Sequence, residues 1–268
     1  MIDTIYIARH GFRLNWVTTA WTSPTDTPRD PPLAAFGETQ AQELATYFLS
    51  LPEDERPTGI WSSPFYRCIQ TAVPVSKALN VPIYVEHGIG EWYSPVAPNT
   101  GLHPRPGSAS FLKTYFDDID PSWESIYYPS RKGETVIDLY ERCRGFLDDF
   151  LSIEEVQKKH KKVLFFSHAA TVIALSRELK GDREMPLRVG VRSLTQFQRN
   201  PDGGWNDLKL ADASYLTGGV QRDWGLEDIV VDPATGEVVE DTGVDGTQGE
   251  KDEPVGSQKK QRNIHIHL

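Results

Sequence analysis

Short apolar runs with β-branched residues alternate with stretches of helical period through the first two-thirds of this chain, and that alternation restricts its fold more than any other feature. Residues 4–8 (Thr-Ile-Tyr-Ile-Ala) read as a buried strand that stops at Arg9-His10-Gly11. Ile60-Trp61-Ser62-Ser63 reads as a second strand end, residues 81–85 as a third strand, and Val163-Leu164-Phe165-Phe166-Ser167 as the clearest buried strand, stopping at His168. Between them lie helical patterns. Ala41, Leu44, Ala45 and Phe48 put one apolar face on residues 38–51, and residues 65–79 form a second helix with Pro74 near a kink or boundary. Residues 134–157 carry a longer pattern that ends in Lys158-Lys159-His160-Lys161-Lys162, cations suited to the negative end of a helix dipole. A last helix follows His168 to Leu179, with Gly181 placed as its C-cap. Residues 193–198 and 205–210 alternate and flank Asn-Pro-Asp-Gly-Gly, the signature of a hairpin. The expected fold is a three-layer α/β/α sandwich, with a mixed, mostly parallel sheet and helices on both faces.

Three segments fall outside that pattern. Residues 22–36, rich in Pro, Thr, Ser and Asp, read as a surface loop. Residues 93–132 form an irregular insertion holding Tyr93, Phe111, Tyr115, Phe116, Trp123, Tyr127 and Tyr128, aromatics that either line a cleft or build a satellite core under a long loop. Beyond about residue 220 apolar residues thin out. A folded domain over 1–220 is therefore expected, followed by an acidic, largely disordered tail over 221–268. The closing Ile264-His265-Ile266-His267-Leu268 alternates like a short strand.

The formal charge of −10 argues against a broad nucleic-acid or anionic-membrane surface, yet leaves room for a few arginines to dominate one cleft. No stretch approaches the ~18 apolar residues needed to span a bilayer, and the N-terminus has no signal-peptide pattern. Two cysteines, Cys68 and Cys143, are too few for a disulfide framework or a zinc site and fit a reducing compartment, cytoplasm or nucleus.

The chemistry gathers at the two histidines. In open α/β sheets ligands bind beyond the carboxyl ends of the strands, and His10 and His168 both sit there, His10 between an arginine and a glycine that leaves the backbone room near a ligand and offers an amide donor. Either histidine alone is more often structural; the pair at equivalent strand ends points to a site. Neither Ser62 nor Ser167 has the Gly-x-Ser-x-Gly surroundings of a nucleophile elbow, and Ser167 is expected to help hold the site.

At these residues the chain resembles the histidine phosphatase superfamily, the phosphoglycerate mutase-like fold. The matching pieces are Arg9-His10-Gly11 with Arg13, then Pro32-Leu33 followed by Phe36-Gly37-Glu38-Thr39-Gln40-Ala41, then Ser62-Ser63-Pro64-Phe65-Tyr66-Arg67-Cys68-Ile69-Gln70-Thr71-Ala72, then Glu91-Trp92, then Ser167-His168-Ala169. Arg-His-Gly alone is a weak string; five pieces in family order across residues 5 to about 210 are specific. The resemblance implies a metal-independent, cofactor-free phosphomonoester hydrolase. His10 would attack phosphorus and become a phosphohistidine, Arg9, Arg13, Arg67 and His168 would hold the phosphoryl oxygens, and Glu91 would be the general acid. Asp117, Asp118 and Glu134 stay open as alternative acids, and Arg67 on its own has a surface reading. Gln70 and Thr71 read as packing groups; His87, His103, His160, His265 and His267 read as surface residues.

Glu91-Trp92 is similar to the eukaryotic phosphatase branch, and Phe12-Arg13-Leu14-Asn15-Trp16 lacks the Glu-rich segment of the mutases, so mutase-type transfer is the lesser expectation. The insertion, lying between Glu91 and His168 in the chain, is expected to cover the site and set specificity. The substrate, a small phosphoester or a phosphotyrosine peptide, stays open. The chain also resembles fungal phosphatase-domain proteins related to the tau subunit of RNA polymerase III transcription factor C. That likeness implies an alternative role as an assembly partner within such a complex, with no direct nucleic-acid or membrane contact.

Overall fold

The structure, a computed structural model, describes residues 1–259 apart from 234 and 236. The stretch 264–268, with His265 and His267, lies outside the described residues. Six strands make the main sheet: β1 (Thr4–Arg9), β2 (Gly59–Ser62), β3 (Ile83–Val85), β5 (Lys162–Ser167), β6 (Leu194–Arg199) and β7 (Trp205–Asp212), while β4 (Tyr127–Tyr128) and β8 (Gly256–Ser257) form a separate antiparallel pair. The order is β3-β2-β5-β1-β6-β7, parallel through β1 and closed by the antiparallel hairpin β6-β7.

Helices α1 (Ala35–Ser50) and α2 (Tyr66–Leu79) cover one face of the sheet; α4 (Val136–Leu151) and α6 (Ala169–Lys180) cover the other, with the short α3 (Ala109–Leu112) in the insertion and α5 (Glu154–Lys159) after α4. Strand periodicity explains the double core. Ile5 and Ile7 of β1 face the α4–α6 side while Tyr6 and Ala8 face α1–α2, and Phe165 and Phe166 of β5 divide in the same way. Each fully buried phenylalanine stabilises the fold by roughly 1.5–3 kcal/mol relative to exposure. The three-layer α/β/α sandwich with a mixed, mostly parallel sheet is the fold observed.

Register sets the site. Arg9 of β1 pairs with Ser167 of β5, and the His10 amide donates to the Ser167 carbonyl at 2.9 Å. His10 and His168 therefore leave adjacent central strands at the same level. Gly11 is small for packing: an added Cβ would lie 3.0 Å from the Gly37 carbonyl oxygen. Gly37 is tighter still, since a Cβ there would lie 2.3 Å from the Phe12 oxygen, so this glycine lets the start of α1 rest on the loop after β1.

Some elements differ from expectation. The helical pattern over 134–157 is two helices, because Ile153 is extended (φ −79°, ψ 105°) and turns the chain so that α5 can bury Val156. A capping box between Thr135 and Asp138 starts α4. Pro74 does not end α2, which continues five residues beyond it to Leu79.

Over its described part, the segment expected to be a disordered tail is laid against the insertion and the loop over 22–36. Asp241 pairs with Arg29 (2.6 Å), Glu250 with Arg131 (2.7 Å) and Asp252 with Arg105 (3.2 Å), and β8 adds to β4. These contacts are mostly polar and long in sequence separation, which composition does not reveal.

Candidate active site

Five of the six residues expected at the site, Arg9, His10, Arg13, Arg67 and Glu91, line one cleft of about 410 Å³ beyond the carboxyl ends of β1 and β5; His168 is fully buried and meets it through Glu91 and His10. Arg9, His10 and Arg13 come from the end of β1 and the turn after it, Arg67 from the first turn of α2, Glu91 from the segment after β3, and His168 from the N-cap of α6. The His10 and His168 rings are 5.3 Å apart, and one nitrogen of each histidine lies within 4.8 Å of the other and of a Glu91 oxygen.

The hydrogen bonds assign the protons. His10 Nδ1 is 2.8 Å from the Gly11 carbonyl, which only accepts, so Nδ1 carries the hydrogen and Nε2 keeps its lone pair. Burial holds the His10 pKa well below its ordinary value, and Arg67, His168, Arg13 and Arg9 push the same way, so the imidazole is neutral. His168 is likewise lowered, to about 4, chiefly by burial, with Glu91 pulling the other way. Its Nδ1 lies 3.1 Å from Glu91 Oε2 and its Nε2 lies 2.8 Å from the Ser63 hydroxyl, so neutral His168 donates to Glu91 and accepts from Ser63.

Arg67 is 1% exposed. Burial alone would lower its pKa, but Asp30 and Glu91 more than reverse that and keep it charged. Its Nη2 donates to Glu91 Oε2 at 3.0 Å and its Nη1 to Asp30 Oδ1 at 2.8 Å. Arg9 donates through Nη1 to the Val189 and Arg222 carbonyls (2.7 and 2.6 Å), and Arg13 stacks over Trp16, 4.3 Å from the ring centroid. Burial lowers both arginines to about 10, so both remain cations at neutral pH. Burial opposes the Glu91 charge, yet His168, Arg67 and Arg13 outweigh it and hold the carboxyl well below the usual range.

Buried Nε atoms of Arg9, Arg13 and Arg67 find no acceptor among the described residues. Guanidinium groups with donors to spare, lining one cleft with an unprotonated imidazole nitrogen, suit a compact oxyanion. His10, Glu91 and His168 also have the ligand types of a metal site, but the three arginines impose a field that favours an anion over a cation in the same volume.

Other candidates are placed elsewhere. Glu134 is consumed by Arg142, at 2.7 and 2.9 Å, and Asp118 lies 3.8 Å from Lys77; neither these nor Asp117 line the cleft. The Gly11 amide, read as a possible ligand donor, is taken by Thr71 Oγ1 at 3.0 Å. Gln70 bridges Leu33 and Glu38, and Ser167 Oγ donates to the Ile89 carbonyl, both structural bonds. His87, His103 and His160 are not surface residues: each is at most 5% exposed, because ring partners and hydrogen bonds to Ser125, Ser94 and Thr58 satisfy them inside. Of the insertion's aromatics only Tyr93 lines the cleft; Trp123 and Tyr127 pack into the core beside α4, and Phe116 packs near α2. The remaining aromatic wall is Trp92 with Trp21 and Trp224, the last two missed because they lie in segments without periodicity. Asp30 was missed as well, being distinguished by no spacing, and Ser63, though inside a quoted motif, had no role assigned.

Residues 5–210 match the family model of the histidine phosphatase superfamily (branch 1). Over 187 residues, 68% of this chain, it is 42% identical to the transcription factor tau 55 kDa subunit of Saccharomyces cerevisiae. The match spans 42% of that relative's length, so the chain corresponds to less than half of it. Among solved structures it is similar to the ecdysone phosphate phosphatase from Bombix mori in complex with tungstate (TM-score 0.61, 17% identity, 77% of this chain and 92% of that one). It is also similar to a mycobacterial glucosyl-3-phosphoglycerate phosphatase complexed with VO3 (TM-score 0.53, 19% identity, 79% and 100%). At such identities these two likenesses speak for the fold.

Proposed function

The chain belongs to the histidine phosphatase superfamily, and on that premise we propose that it hydrolyses phosphomonoesters through a phosphohistidine formed on His10. The observation that carries this is one cleft lined by a neutral His10 with a bare Nε2 and by Arg9, Arg13 and Arg67, each with a buried Nε lacking an acceptor among the described residues. Arg9, Arg13 and Arg67 hold the non-bridging oxygens. Each charge pair at ~4 Å is worth on the order of 4 kcal/mol at an effective dielectric near 20, before desolvation. His10 Nε2 attacks phosphorus in line, the N–P bond forms as the ester P–O bond breaks, and Glu91 gives its proton to the departing oxygen. Water then attacks phosphorus with Glu91 as base, the N–P bond breaks, and inorganic phosphate leaves with His10 neutral again.

Glu91 is ionised before substrate arrives, so the mechanism needs it to gain a proton on binding. A phosphate dianion supplies the reason: it competes for Arg67 and Arg13 and places negative charge beside the carboxylate, both of which raise its pKa. His168 takes up positive character in the same field and joins the oxyanion contacts.

Trp21, Trp92, Tyr93 and Trp224 suit an aromatic or apolar leaving group, and a phosphotyrosine peptide fits that lining. The decisive assay is p-nitrophenyl phosphate turnover with EDTA present. Wild type is expected to turn over at an undiminished rate and His10→Ala to lose at least about 1,000-fold; equal rates for the two would remove the hydrolase assignment.

A second reading rests on the 42% identity to a transcription factor tau subunit. In it the chain is an assembly partner of the RNA polymerase III transcription factor C complex and works in the nucleus. Affinity capture of the tagged chain tests it: co-purifying subunits of that complex support it, and their absence from nuclear extract counts against it.

A further inference from the structure

Asp30 lies in the irregular loop between β1 and α1, is fully buried, and does not line the cleft. Both of its oxygens are committed to two successive residues of α2. Oδ2 accepts the Tyr66 amide at 2.6 Å, at the first residue of the helix, and Oδ1 accepts Arg67 Nη1 at 2.8 Å. The Arg29 carbonyl, one residue earlier, takes a longer bond from the same Nη1 at 3.4 Å. Arg29 itself has φ +60°, a left-handed conformation uncommon outside glycine, so the backbone is bent at the point that delivers Asp30 inward. Arg67 is thus divided: Nη1 is held by the loop, Nη2 donates to Glu91 (3.0 Å), and Nε is left without an acceptor among the described residues.

We propose that Asp30 is the positioning residue of the phosphoryl site, fixing the plane of the Arg67 guanidinium so that Nε and Nη2 are presented to the phosphoryl group. This rests on the assignment of Arg67 as a phosphoryl ligand. A guanidinium with one fixed edge offers its other donors without first losing side-chain freedom, and the fixed partner keeps the buried cation balanced when a bound anion draws Arg67 away from Glu91. Asp30 does this from behind the arginine, touching no reacting atom.

Asp30→Asn is the sharp test, because its amide oxygen can still accept from Tyr66 while the charge facing Arg67 is gone. Orthovanadate affinity is measured by titration calorimetry on the full chain, with KM and kcat for p-nitrophenyl phosphate and thermal melting alongside. The expected result is a folded variant whose orthovanadate Kd and KM rise together, with kcat/KM down about 100-fold. A double-mutant cycle with Arg67→Met separates positioning from general support. If Asp30 acts through Arg67, Asp30→Asn costs nothing more in the Arg67→Met background, and removing both charges together restores the fold if Arg67→Met alone melts early. An unchanged orthovanadate Kd and kcat/KM in Asp30→Asn, or equal losses in both backgrounds, would overturn the proposal. Wild type that binds orthovanadate without turnover would sink the hydrolase assignment but leave the Asp30 comparison readable. Wild type that binds none would overturn both.

Discussion

A single residue, Glu91, concentrates the tension in this site. It is the only carboxylate among the residues lining the cleft, yet His168 and Arg67 hold it ionised, the wrong form for an acid. On the proposed mechanism it earns its proton from the arriving phosphate, so its contribution depends on how badly the leaving group needs one. Glu91→Gln is expected to lower kcat for phenyl phosphate by about 100- to 1,000-fold and to affect p-nitrophenyl phosphate far less, since p-nitrophenolate leaves unprotonated. Equal losses on both esters would move the acid elsewhere. The six expected site residues were legible because each sits in a short motif at a strand or helix end. Asp30 was not, because a hydrogen-bond partner 37 residues away leaves no local trace; Ser63 lies in a quoted motif, but its bond to His168 does not show there. The tautomer of His10 was equally invisible, being set by the carbonyl of its own neighbour.

Elements carry the site through their ends, and the tightest of those ends is where α1 meets the loop after β1. Gly37→Ala would place a methyl 2.3 Å from the Phe12 oxygen, backbone against backbone, and neither side can swing away. A loss of about 1–3 kcal/mol in urea denaturation is expected, with reduced activity because Arg13 lies in that loop; an unchanged midpoint would contradict the packing described. Glu86 does similar work for the insertion, accepting from Gly88, Trp123, Ile126 and Tyr127 and so tying its far end to the segment that leads to Glu91. The strands of the main sheet, the four long helices and the β6-β7 hairpin were readable from periodicity; the β4-β8 pair was not. The break at Ile153, the passage of α2 through Pro74 and the internal role of the insertion's aromatics were not, since each is decided by what packs against the segment rather than by its pattern.

At the scale of the whole molecule, a chain of net charge −10 encloses a cleft lined by four arginines and one carboxylate, so the local field and the overall charge have opposite signs. Buried neutral histidines make stability depend on pH. His10, His87, His103, His160 and His168 are all lowered by burial, His87 and His168 to about 4, whereas the unfolded chain protonates near 6.5. Between those values the unfolded state binds more protons, so stability is lost as pH falls from about 6.5 toward 4. Glu86, raised to about 7 by burial, and Asp30, also raised, act in the opposite sense. Five groups outweigh two, and the melting temperature is expected to fall between pH 7 and pH 5; a rise would contradict the burial of the histidines. The most direct test of the central claim is to quench the chain during turnover of a 32P-labelled aryl phosphate and locate the label. The account predicts an acid-labile, base-stable phosphoenzyme with the phosphoryl group on His10, absent from His10→Ala. Turnover with no such intermediate, or label that persists in His10→Ala, would contradict it.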